Sequence, residues 1–136
     1  MTVKPETRLW KSLKKCLKSG DGYIVSRLES YVTPGFPDCL IFHNVTGFFT
    51  IELKVIKRNN KCTLSSFQRA WNLRHANAGA PVYILVGGLR DNRVKLFHGA
   101  SIEDLGQKTV DQVPGLYEGK IADMDLVKLL NSQTPS

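Results

Sequence analysis

Residues 35–54, GFPDCLIFHNVTGFFTIELK, limit the possible folds more than any other stretch of the chain. They divide into two apolar runs, DCLIFH at 38–43 and FFTIELKV at 48–55. The second is rich in aromatic and β-branched residues, which suit a pleated, half-buried surface. The four residues between them, Asn44-Val45-Thr46-Gly47, include an Asn and a Gly that tolerate positive φ. Two apolar runs around such a link predict a β-hairpin.

A turn centred near Val45 sets residues whose numbers sum to about 90 opposite each other, so Asp38 faces Glu52. Directly opposed Cβ atoms lie roughly 4.5–5.5 Å apart. Alternation puts Glu52 and Lys54 on one face of the second strand and Ile51, Leu53 and Val55 on the other. The hairpin therefore gathers two carboxylates and an ammonium. Carboxylates this close repel, and one pKa rises unless a cation lies between them. An all-oxygen pair suits a hard ion such as Mg²⁺, with Mn²⁺ able to substitute. The plainer alternative is a cross-strand salt bridge on a solvated face. A slip of one residue would turn Asp38 away from Glu52.

The rest of the chain supplies a frame. Residues 5–19 read as a helix that opens on Pro5 and ends at Gly20, with Leu9, Trp10, Leu13 and Leu17 on one stripe. Glu6 falls on the same side as that stripe, an odd place for an acid with no role beyond the helix dipole. A strand is expected over 23–29, with Arg27 and Glu29 on a shared face as an edge ion pair or a phosphate contact. Pro34-Gly35 signals a turn, Pro37 opens the next strand, and Phe36 at the loop tip either packs or stacks on a base. A second helix spans 65–78. Ser65 and Gln68 form its capping box, and Phe67, Ala70, Trp71 and Ala78 form its packing stripe. The continuous apolar run 82–86 predicts a strand buried on both faces, and 93–98 a last alternating strand. The order αβββαββ implies a mixed central sheet flanked by helices, an α/β fold. Residues 5–98 form the core of one domain spanning 1–136. The extension, 99–136, carries helices near 101–104 and 123–131 that cover an edge or join a dimer.

Charge is unevenly distributed. Residues 1–98 hold 16 Lys and Arg against 6 Asp and Glu, or +10, while 99–136 hold 3 against 6, or −3. A basic body favours a polyanionic partner, and Lys57, Arg58, Lys61, Arg69 and Arg74 are the candidate phosphate contacts beside Arg27. Three scattered cysteines form neither a disulfide framework nor a CxxC zinc site. His43, His75 and His98 are dispersed and read as structural. No run approaches 18 apolar residues and the N-terminus lacks an apolar signal core, so a cytoplasmic protein without membrane contact is expected. Nothing calls for an organic cofactor.

Pro37-Asp38 followed, fourteen positions after the Asp, by Glu52-Leu53-Lys54 resembles the PD-(D/E)XK nuclease signature. Arg27-Leu28-Glu29 ahead of Gly35-Phe36-Pro37-Asp38, and Leu64-Ser65-Ser66-Phe67-Gln68 after the Lys, sharpen the likeness to the VRR-NUC family of small nuclease domains, over roughly residues 6–86. The resemblance implies a restriction-endonuclease-like core and a Mg²⁺-dependent endodeoxyribonuclease. Asp38 and Glu52 would bind metal directly, with the Leu53 backbone carbonyl as a third ligand. Lys54 would position water or stabilise the transition state. Glu6 would hold metal through water, and Gln68 would lie near the scissile phosphate. It also implies a homodimer acting on branched DNA such as Holliday junctions, in recombination or repair, and in a host's cytoplasm if phage-encoded. A nicking, flap or restriction-type enzyme and a non-catalytic DNA-binding module are the alternatives.

Overall fold

A computed structural model describes residues 5–18, 22–28, 35–56 and 59–131. Its centre is a six-stranded mixed sheet with its strands in sequence order: β1 (Tyr23–Arg27), β2 (Cys39–His43), β3 (Gly47–Val55), β4 (Val82–Gly87), β5 (Arg93–His98) and β6 (Tyr117–Lys120). Only β3 and β4 run parallel. Their connection carries α2 (Ser66–Asn77), as a parallel crossover requires. The order α1 (Pro5–Lys18), β1–β3, α2, β4, β5 agrees with the expected αβββαββ.

The hairpin has the anticipated register: Cys39 pairs with Ile51, Ile41 with Phe49 and His43 with Gly47. Gly47 takes φ 73°, the left-handed conformation that the turn needs there. The two faces of the sheet bury different layers. Leu9, Leu13 and Leu17 of α1 pack on Cys39, Ile41, Phe49, Ile51 and Leu53. On the opposite face, Ile84, Val86 and Phe97 are covered by α3 (Ile102–Gln107) and the segment after it, with Leu64 and Leu73 from the α2 side. β4 is buried at all six positions, as its unbroken apolar run predicts.

Three expectations are corrected. The stripe assigned to α2 is its open side: Phe67 is 59% exposed and Ala70 and Ala78 are exposed, while Asn72 is fully buried and Gln68 and Leu73 are partly covered. The buried Asn72 amide donates to the Gln68 carbonyl, 2.9 Å away, while its Oδ1 has no hydrogen-bond partner among the described residues. Second, Glu6 is exposed rather than core-facing. The α1 stripe runs through 9, 13 and 17 and leaves position 6 at its margin. Third, the C-terminal extension contains the unforeseen strand β6, which pairs with β5 and covers that edge; the last helix is α4 (Leu126–Asn131), shorter than 123–131. Lys95 on β5 is buried. Its Nζ donates to the Val110 carbonyl at 3.0 Å, lies 3.5 Å from Glu118 and sits over the Phe97 ring. The expected turn at Pro34, the helix stop at Gly20 and the Arg27–Glu29 pairing involve positions outside the described residues.

No disulfide joins the three cysteines, and Cys39 and Cys62 are buried. The histidines are structural: His43 accepts from the Val45 amide and packs on Tyr23, His98 accepts from the Ala100 amide, and His75 stacks on Trp71. Among the described residues no helix is long and apolar enough to cross a membrane.

Candidate active site

The site forms where β3 runs on past the start of β2. β2 begins at Cys39, so beyond Ile51 β3 has no partner from β2, while its pairing with β4 continues to Val55. The Asp38 side chain takes over the ladder: its Oδ2 accepts from the Leu53 amide at 2.8 Å. The Asp38 carbonyl accepts from the Leu28 amide at 2.7 Å, which ties the same residue to β1. Asp38 is thus fixed from both sides. Strand geometry sends the Leu53 carbonyl toward the same side as its amide, next to the Asp38 carboxylate.

Glu52 lies on the opposite face of β3 from the buried Ile51 and Leu53, with 1% of its surface exposed. Its Oε1 accepts from Gln68 Nε2 at 2.7 Å, and its buried Oε2 has no hydrogen-bond donor among the described residues. Burial raises the Glu52 pKa from 4.5 to about 9, reinforced by the charge of Asp38; Lys54 opposes the rise, and a side-chain hydrogen bond with Asp38 and the charge of Glu6 add to it. These influences show that Asp38, Glu52, Lys54 and Glu6 share one electrostatic neighbourhood. Lys54 forms no salt bridge with either carboxylate among the described residues, so its ammonium is near the pair but not locked to it.

Gln68 performs both roles its position allows. Its Oε1 accepts from the Ser65 amide at 3.1 Å while the Ser65 hydroxyl accepts from its own amide, completing the capping box. Its Nε2 remains free for Glu52. The loop before Asp38 is docked on the same helical turn. Gly35 has φ +86°, and a Cβ there would collide with the Phe67 carbonyl oxygen. Only glycine lets residues 35–38 approach the start of α2 so closely.

The residues present fit a divalent cation in part. Asp38, the unpartnered Glu52 Oε2 and the Leu53 carbonyl are oxygen donors of the kind a hard ion prefers. Glu6 does not complete a three-carboxylate cage: among the described residues no group of three His, Cys, Asp or Glu is placed to hold a metal. Of the basic candidates, Arg27 lies over the Trp10 ring, 5.3 Å from its centroid. Arg69 borders a groove with Glu103 and Gln107 of α3. Lys61 and Arg74 are exposed, and Lys57 and Arg58 lie outside the described residues. Phe36, expected either to pack or to stack on a base, meets Trp71, which stacks on His75; Phe67 and Trp71, expected in the packing stripe, belong to this aromatic surface beside the site. Phe67 and Trp71 recur at helical spacing like core residues, and only tertiary packing distinguishes the two cases.

No family model matches the chain, and no match to it is found among the curated proteins.

Proposed function

We propose that this protein is a divalent-cation-dependent nuclease of the PD-(D/E)XK type, related to the VRR-NUC domains, that hydrolyses phosphodiester bonds in DNA, with branched DNA as its substrate class. One observation carries the reading: a buried Glu52 whose Oε2 meets no hydrogen-bond donor among the described residues, with a second acid, Asp38, beside it. A fold that sought only stability would not keep two acids together under burial, since replacing buried charge by apolar groups is often stabilising. The arrangement makes sense if something positive occupies it.

Asp38, Glu52 and the Leu53 carbonyl would hold the cation, Mg²⁺ or Mn²⁺. Such an ion, when bound, supplies charge neutralisation at the phosphate and a more acidic water. Gln68 holds Glu52 Oε1, leaving Oε2 as the atom directed to the ion. The amide of Leu53 fixes the second oxygen of Asp38 in the same way. Lys54, whose charge acts on Glu52 without a salt bridge to it, would orient the attacking water or stabilise charge developing on the phosphate. The positive net charge of +7 favours approach of a polyanion.

Incubation with a four-way junction, a flap and a linear duplex in Mg²⁺ tests the reading. Cleavage of the branched substrates that disappears in Asp38→Asn, with DNA binding retained, is the expected result. Preferential cutting of the flap or duplex would point to the related nicking, flap or restriction-type specificity. Binding without cleavage of any of the three would leave a DNA-binding module.

A further inference from the structure

Beside the carboxylates, Phe67 of α2 and Phe36 of the loop before β2 present their rings to solvent, against a half-buried Trp71. Phe67 is 59% exposed and Phe36 42%. The rings are ordered against one another: Phe36 packs on Trp71 with centroids 5.7 Å apart, and Trp71 stacks on His75 at 3.8 Å and 19°. His75 is itself pinned, its Nδ1 lying 2.7 Å from the Trp71 carbonyl. Phe67, Trp71 and His75 follow one another at i, i+4 and i+8, and Arg74 falls on the same side of the helix. Helix α2 contains no carboxylate, and it carries Arg69, Arg74 and His75.

The placement of these rings is tied to the chemistry. Phe36 is two residues before Asp38, and Phe67 immediately precedes Gln68, which holds Glu52. The close approach of Gly35 to the Phe67 carbonyl fixes the two segments together. We infer that Phe36, Phe67 and Trp71 form a stacking platform for an unpaired nucleobase next to the phosphodiester held at Asp38 and Glu52. The inference rests on the nuclease reading for the identity of that phosphodiester, and it narrows the substrate to DNA with an unstacked nucleotide at the point of attack. Aromatic faces exposed beside cationic side chains match a single strand, whose bases offer flat apolar faces and whose backbone is anionic. A base paired within intact duplex has both faces occupied by its neighbours and gains nothing from such rings.

Binding can be read apart from cutting in the metal-free protein, with chelator present. The probe is a labelled short single-stranded oligonucleotide carrying 2-aminopurine, whose fluorescence falls on stacking, compared with the same sequence as duplex. Phe67→Ala should weaken single-strand binding about tenfold, within the range of one lost base–aromatic stack. It should leave duplex affinity within about twofold and relieve the quenching, and Phe67→Tyr should restore both. Equal affinity of Phe67→Ala and wild type for the single strand would overturn the proposal. So would an equal loss on single strand and duplex, or a Phe67→Ala protein that changes oligomeric state, which would make this face a contact between copies. If DNA is cut but Phe67→Ala binds normally, the platform alone fails. If no substrate is cut but the single-strand effect is present, the platform stands and the nuclease reading fails.

Discussion

Replacing Glu52 by Gln should make the metal-free protein more stable at alkaline pH, and the size of the effect follows from where the carboxyl lies. Its pKa is about 9 in the fold against an ordinary 4.5, with burial as the main cause and Asp38 the next. Between those two values the folded chain holds one proton that the unfolded chain has released. Stability therefore falls as pH rises, by about 1.4 kcal/mol per pH unit. This is the reverse of a salt-bridged carboxylate, whose contribution grows with pH. From pH 5 to pH 8 the loss from this group is about 4 kcal/mol. For a chain of this length that lowers the melting temperature by roughly 10–15 °C. Glutamine is nearly isosteric and has no proton to lose. Its Oε1 can accept from Gln68 as Glu52 does, and its amide can donate toward Asp38. Thermal unfolding in chelator, wild type against Glu52→Gln across pH 5–8, is the assay. The two curves should be close at pH 5 and diverge steadily above it, with the variant on top. Parallel curves, or a wild type that outlasts the variant at pH 8, would refute the claim that this carboxyl is a buried, electrostatically strained group.

Other consequences concern the docking of the loop on α2. Gly35→Ala would need both a left-handed alanine and relief of the collision between its Cβ and the Phe67 carbonyl, and should cost about 2–4 kcal/mol in urea denaturation. Gly47→Ala is the control: its φ is +73° but the space around it is open, so the cost should be only about 1–2 kcal/mol. Gln68→Ala removes one half of the capping box and the donor to Glu52, and should cost about 1–2 kcal/mol in the same assay while weakening divalent-cation binding.

The hairpin and its register were legible because two apolar runs around Asn-Val-Thr-Gly admit one arrangement that keeps Ile41, Phe49 and Ile51 in the core. That register carried Asp38 to Glu52 without knowledge of any other element. The capping box at Ser65 was legible for the same reason, being a local rule satisfied within four residues. What failed depended on distant packing. The stripe 67–70–71–78 and the stripe 68–72–73 are both available to α2, and the one used includes a buried Asn72 that no hydrophobicity rule would select. The burial of Lys95 depends on residues 108–113, which fold over it and offer the Val110 carbonyl. The strand β6, YEGK, has too little β-branched or aromatic content to be recognised before β5 is there to pair with it.

Calorimetric titration of Mg²⁺ or Mn²⁺ into the wild-type protein and Asp38→Asn tests most directly whether the two carboxylates form a cation site. Wild type should bind saturably with release of protons as Glu52 ionises, and the variant not at all, although it keeps its fold because the side-chain oxygen of the introduced asparagine can still accept from the Leu53 amide. A wild-type protein that binds neither ion, or an Asp38→Asn protein that binds as well as wild type, would contradict a cation site at these carboxylates.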